Sequence, residues 1–397
     1  MKNSSEGFDQ QDNLDVIDAF RGYAILIVIA VHALAYTPEL VWPVKRILLM
    51  GVFGVQLFFI ASALTLMMSW GRSKDPFPLK TKKFMVRRFF RIAPLYYCAI
   101  LFYWVAYGMT WSDFSFEKLA ATLFFYNAWS PYLLPTVPGW MPVPGGWSIG
   151  VEFSFYLIFP LLATLITSMR IALAFFAFSF AVLFYSQLIG LQMYPELTLE
   201  QRLNIIYFWP PNHLIIFSLG ILLYYLVKSP RVRNICGNSR LNASVISCIL
   251  LIAVVGLSFD GQRKLFDFSN GVAFPTHFLI SIAFMIWALF LLINPNHLVV
   301  NKAIVALGKV SFSAYVLHFA ILKLVNFIMG YLWIYPVTRY YSIVHAGVLI
   351  ITAVLATYYL ASLTYKYIEK PFMNIGKTLT GTMSQKIQHQ QQPPYPS

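Results

Sequence analysis

Charge is what this sequence has least of. Only 11% of its 397 residues are Asp, Glu, Lys or Arg, while 59% are hydrophobic. A soluble domain carries about 25% charged residues, so an ordinary water-soluble fold is excluded. Cysteine is almost absent: Cys98, Cys236 and Cys248 lie in or beside apolar segments without metal-ligand spacing, so neither a disulfide framework nor a zinc site is expected. No nucleotide-binding glycine loop, zinc motif or serine-nucleophile elbow is present. Residues 1–18 are polar and acidic and show no signal-peptide pattern, so the first apolar segment is expected to be a retained span. There is no internal repeat and no room for a folded soluble domain. The formal charge of +14 fits a membrane surface and an anionic small molecule better than a nucleic acid.

What is there is a series of long apolar runs. Hydropathy predicts an all-α, polytopic membrane protein with about ten spans, near 20–37, 47–69, 92–109, 147–167, 171–190, 209–227, 244–259, 276–293, 308–330 and 341–363. The seventh, Ser244–Phe259, is the shortest. Of the 29 basic residues, 21 fall in one set of loops and termini and 7 in the opposite set, with Lys323 inside a span. This bias places both termini in the cytoplasm. The stretch 71–91 holds eight basic residues and a single acid, Asp75. The outer stretch 110–146 contains Trp111, Trp129 and Trp140 with Pro131, Pro135, Pro138, Pro142 and Pro144, and reads as an ordered interfacial cover. The expected organisation is a cytoplasmic tail over 1–18, a transmembrane domain over 19–372 and a cytoplasmic tail over 373–397. The low-complexity end, 384–397, reads as disordered.

Ionisable residues inside such spans are costly and are the first candidates for function. Arg21 and His32 stand eleven residues apart in one apolar segment. Eleven helical steps are about three turns, so both lie on one face, separated by a rise of about 16 Å. Arg21 then sits near a membrane surface and His32 near the middle. A histidine bonded to a neighbouring helix, below an arginine that anchors the helix end, fits the pair equally well. Arg87, Arg88 and Arg91 stand at the cytoplasmic mouth of the third span. Arg87 and Arg91 share a helical face, which suits a phosphate clamp, though positive-inside anchoring also explains them. Glu152 lies one and a half turns into the fourth span from its outer end, on one face with Ser148 and Tyr156. It needs a partner, a proton or water. His318 lies in the ninth span beyond Tyr315. Nothing near it in sequence suggests an acid/base partner, so it reads as structural support. Glu369 reads as fixing the end of the last span.

Together these residues resemble the membrane acyltransferase-3 family, which O-acylates cell-envelope glycans and some other acceptors. Asp18-Ala-Phe-Arg21-Gly22 through His32 is similar to that family's opening arginine–histidine motif. Gly51-Val-Phe-Gly54 through Ser62 resembles its second-span signature, and Arg87-Arg88-Phe-Phe-Arg91-Ile-Ala-Pro94 its arginine cluster. Trp147-Ser148 through Glu152, Ser311 through His318, and Tyr367-Ile-Glu369-Lys-Pro371-Phe372 match later signatures. Ala63-Leu64 stands where the family often has Gly-Phe, and Gln56 where an acid is common. The resemblance implies an enzyme that transfers an acyl group, acetyl by default, from acyl coenzyme A to a hydroxyl of a cell-surface glycan such as O-antigen or exopolysaccharide, in a bacterial inner membrane. It implies His32 and Glu152 as catalytic residues, and Arg21, Arg87, Arg88 and Arg91 as ligands of the donor. Asp18, Trp147, Ser148, Tyr156, Tyr315 and His318 would support the site or the acceptor. No metal and no tightly bound cofactor are expected, and the partners are acetyl-CoA, a free or lipid-linked glycan and membrane lipids. Any esterase-like domain, fused in some members, would be separate. Transfer of succinyl or another acyl group is an alternative, and so is a proton-coupled transporter, whose matching broken helices in the two halves are not seen.

Overall fold

The computed structural model describes residues 10–129, 133–134, 140–237, 276–332 and 339–390. Among them every regular element is a helix. The expected seventh span with Cys248 lies outside the described residues, as do Arg240, Arg263, Lys264, Pro131, Pro135, Pro138 and 391–397.

Helix α1, Gln10–Ala33, carries both Arg21 and His32. It is followed by α2 (Trp42–Leu49), a 3-10 turn (Met50–Phe53) and α3 (Gly54–Arg72), then α4 (Phe77–Ala106) and α5 (Phe116–Leu123). Next come α6 (Gly146–Leu165), α7 (Met169–Met193), α8 (Leu199–Phe208), α9 (Pro210–Lys228) and α10 (Pro230–Gly237). The rest is α11 (Thr276–Ile293), α12 (Lys302–Lys309), α13 (Ser311–Tyr331), α14 (Arg339–Thr364), a π turn (Tyr365–Glu369) and α15 (Lys370–Gln390). Seven helical stretches among the described residues are long and apolar enough to cross a membrane: Trp42–Arg72, Phe77–Ala106, Gly146–Leu165, Met169–Met193, Pro210–Lys228, Ser311–Tyr331 and Tyr341–Met383. The first and eighth expected segments fall on α1 and α11, helices outside those seven.

Two stretches differ from the sequence reading. The basic run expected to be a loop is helical from Phe77. Its prolines, Pro76 and Pro78, sit before and within the first turn, where they do not interrupt a helix, and the Lys and Arg that follow are good helix formers. The C-terminal stretch from Lys370 to Gln390 is also helical. It docks along α4, where Gly376 packs against Phe90 and Thr380 accepts a hydrogen bond from Arg87 at 3.2 Å.

The core forms around α1, whose Val16, Ile17, Phe20, Ala24, Ile25, Val28 and Ile29 are buried. Close approach is made possible by small residues. A Cβ at Gly54 would collide with the Ala24 carbonyl, and one at Gly51 with that of Ile27, so the Gly51–Gly54 stretch is a close contact for α1, of the kind small residues permit. On another side α12 lies against the first half of α1, with Gly308 on the Asp18 carbonyl and Gly22 on that of Ile304. In the 110–146 stretch, Trp140 packs on Trp104 and Phe114, and Trp129 donates to Ser154 at 2.8 Å. Its described tryptophans thus make side-chain contacts with α4 and α6.

Candidate active site

One pocket gathers residues from five helices: Arg21 of α1, Ser62 of α3, Arg88 and Arg91 of α4, Ser148, Glu152 and Tyr156 of α6, and Tyr315 of α13. Arg21 is aimed by two contacts. Its guanidinium pairs with Asp18 one turn earlier at 3.1 Å and donates to Thr65 Oγ1 at 2.8 Å. Thr65 in turn bonds the Ala61 carbonyl. Arg88 lies between the rings of Phe84 and Tyr156, 5.6 Å from each centroid, within cation–π range. Neither Arg88 nor Arg91 has an ion-pair partner within 4 Å among the described residues. Glu152 accepts from Ser62 Oγ and Tyr156 Oη, both at 2.5 Å. The pocket is thus lined by three guanidiniums and one carboxylate. Asp18 stands behind Arg21. Glu369, 2% exposed and held by Ser313 at 2.9 Å, acts electrostatically on Arg91. Forked guanidinium donors gathered in a confined site have the chemistry that suits a phosphate or a similar anion.

Arg87 is not part of this pocket. The buried stripe of α4 runs through Ile92, Leu95, Tyr96 and Ala99, and Arg88 lies on it one turn before Ile92, whereas Arg87 is rotated off it toward α15. A second cavity is lined by Trp70, Asp75, Lys80, Lys83, Phe84, Arg87 and Arg88. The two cavities share Arg88, so they meet there. Lys83 holds both Asp75 oxygens at 2.8 Å and, with Ser73, keeps that carboxyl below the usual carboxylate range.

Glu152 is found with the arginines, not beside His32. The His32 ring packs instead on Phe319 and His318, with centroids 4.3 and 5.3 Å away. His318 is completely buried and its Nδ1 lies 2.6 Å from the Tyr315 carbonyl. The Tyr315 hydroxyl links this pair to the arginine pocket. It accepts from Ser148 Oγ at 2.8 Å and donates to the Gly145 carbonyl at 3.0 Å. Gly145 has φ +76°, and a Cβ there would press on the Tyr315 hydroxyl, so the turn opening α6 needs glycine. Trp147 faces away from the arginines, onto Tyr207, Phe208 and His213. Nothing local in the sequence marks His213, His277 and Asn212, yet all three are buried, as is Gln56, which stands where the family commonly has an acid. Asn212 Nδ2 approaches His277 Nε2 at 3.5 Å, and Gln56 donates to the Tyr207 hydroxyl at 3.2 Å. Ser62 and Ser313 were likewise visible only as motif members, without a partner to give them a role.

A family model described as an acyltransferase domain matches residues 14–362. The chain belongs to the acyltransferase-3 family. Among its relatives, a Staphylococcus aureus (strain COL) protein, named provisionally as an O-acetyltransferase, is 25% identical over 405 residues, covering 94% of this chain and 60% of its own. Acyltransferase MdmB of Streptomyces mycarofaciens is 25% identical over 351 residues, 82% of each chain. A protein of Acidianus two-tailed virus, named provisionally as an acetyltransferase, is 26% identical over 319 residues, 78% of this chain and 83% of its own. The chain spans about 60% of the length of its Staphylococcus aureus relatives. No solved structure matches. The acyltransferase-3 match takes in Arg21, His32, the α4 arginines, Glu152 and His318, while Glu369 lies just beyond it.

Proposed function

We propose that this chain is a membrane O-acyltransferase that moves an acetyl group from acetyl-CoA to a hydroxyl of a cell-surface glycan, in a bacterial inner membrane. The observation that carries the reading is the arginine pocket, joined through Ser148, Tyr315 and His318 to His32. We infer ten spans with both termini in the cytoplasm from the asymmetry of the basic residues. The α4 arginines then open toward the cytoplasm, where the donor resides.

In this reading Arg21, Arg88 and Arg91 hold the donor diphosphate by charge-assisted hydrogen bonds. The second cavity, with Lys80, Lys83 and Arg87, takes the 3′-phosphorylated adenosine. The pantetheine arm is long and mostly uncharged, and it covers the rise of about 16 Å from Arg21 to His32. His32 takes the proton of the acceptor hydroxyl as that oxygen attacks the thioester carbonyl. The carbon–sulfur bond breaks, and the leaving thiolate receives the proton from His32. Glu152, fixed by Ser62 and Tyr156, sets the spacing of the arginines around the anion. The acceptor approaches from beneath the aromatic cover on the outer side.

The test is transfer from radiolabelled acetyl-CoA to envelope glycan by the purified protein in sealed proteoliposomes, with mass and NMR analysis of the product. An acetyl ester on the glycan, absent with His32→Ala, is expected. Wild-type transfer by a normally inserted His32→Ala protein would remove His32 from the chemistry. Label that only crosses into a vesicle lumen would make the protein a transporter.

A further inference from the structure

His318 carries an orphaned atom. Its Nδ1 is 2.6 Å from the Tyr315 carbonyl, an oxygen that can only accept, so Nδ1 bears the hydrogen of the neutral ring. Nε2 is therefore a bare lone pair. It is buried and has no hydrogen-bond partner among the described residues. Buried polar atoms are nearly always paired, and an exception calls for an explanation. The neighbouring rings are Tyr315, whose hydroxyl is engaged with Ser148 and Gly145, Phe319, which has no donor, and His32. His32 lies in the last turn of α1 and makes no hydrogen bond among the described residues. It is the nearby ring with a free N–H.

We propose that His318 is a positioning residue whose Nε2 accepts the N–H of His32 and so fixes which His32 nitrogen takes the proton of the acceptor hydroxyl. Centroids 5.3 Å apart leave the rings in contact but not hydrogen-bonded, and a turn of the His32 ring closes the bond. Such bonds are often loose before substrate is bound and tighten in the reacting complex. The proton inventory stays balanced. One His32 nitrogen keeps its hydrogen on His318 throughout, while the other receives a proton from the hydroxyl and returns it to the thiolate. His318 gains and loses none. The Tyr315 carbonyl is the fixed end of this line, and the Tyr315 hydroxyl ties the same residue to Ser148 of the arginine pocket. Donor binding and the orientation of the base thus share one side chain.

The inference rests on His32 being the base, and its test separates the two. His318→Phe keeps a planar ring and removes the acceptor. It is expected to lower kcat by on the order of 10–100-fold, part of the 10²–10⁴-fold that positioned proton transfer supplies, with KM for acetyl-CoA unchanged. His318→Gln, which returns an acceptor oxygen, is expected to recover part of kcat. A folded His318→Phe protein with wild-type kcat, beside an inactive His32→Ala protein, overturns the role of His318 and leaves that of His32 standing. An active His32→Ala protein overturns both. Nitrogen-15 spectra of histidine-labelled wild-type protein with bound CoA need no variant. A His32 locked in one tautomer with a hydrogen-bonded N–H supports the proposal, and equal populations of both tautomers overturn it.

Discussion

Arg87 and Arg88 are neighbours in sequence, yet only Arg88 lines both cavities, and Arg87 lines the second alone. Arg88→Ala is predicted to weaken donor binding by roughly 10–150-fold. A hydrogen bond to a charged group contributes about 1.5–3 kcal/mol, and each 1.4 kcal/mol is about tenfold in affinity. The loss falls on affinity more than on folding because Arg88 has no ion pair to break among the described residues. Removing it leaves Glu152 still bonded to Ser62 and Tyr156. The protein without donor loses its packing against Phe84 and Tyr156 and a cation near Glu152. The effect should be alike for acetyl-CoA and for its analogue lacking the 3′-phosphate, since Arg88 is assigned to the diphosphate. Calorimetric titration of detergent-solubilised protein, with thermal unfolding as a control, reads both quantities. An Arg88→Ala protein that unfolds at the wild-type temperature and binds donor within twofold of wild type would refute the assignment.

Two further predictions follow from the same packing. Lys80→Ala is predicted to raise KM for acetyl-CoA but not for acetyl-dephospho-CoA. An equal rise for both donors would remove the second cavity from the nucleotide site. Gly308→Val is predicted to destabilise the protein by about 1–3 kcal/mol, the usual range for overpacking, because its Cβ would meet the Asp18 carbonyl. Asp18 pairs with Arg21, so donor binding should weaken as well, and an unchanged melting temperature would show that α12 moves aside freely.

Most of the helices were legible because long apolar runs leave a chain in a membrane little alternative to a helix. Depth along one helix was legible too, since rise per residue is fixed, and this is why Arg21 and His32 fall about three turns apart on α1. Rotation was not. Residues i and i+1 differ by about 100° in direction, and only the neighbours of α4 decide which arginine faces inward. Those neighbours are α6 and the C-terminal α15, whose composition reads as a tail. The same limit explains Glu152. Its position on its own helix was read correctly, but the offset between α6 and α1 depends on how the two pack, and it brings the carboxylate level with Arg21 instead of His32. His318 had no partner in its own stretch because its partner lies on α1, at the opposite end of the chain.

The way the charges are held explains how such a pocket persists in an apolar bundle. An ionisable group at this depth is costly unless something compensates it. Arg21 has Asp18 and Thr65, Glu152 has two hydroxyls, Glu369 has Ser313, and Arg88 has two aromatic faces. Asp18 on α1 and Thr65 and Ser62 on α3 come from two helices that approach one another closely at Gly54. For Arg21 the hold on the charge and the glycine packing are therefore one requirement. The small residues set the helix spacing, and that spacing lets short hydroxyl side chains reach the charged groups. A substitution that widens α1 from α12 should thus be felt first at the donor site, before the helices separate.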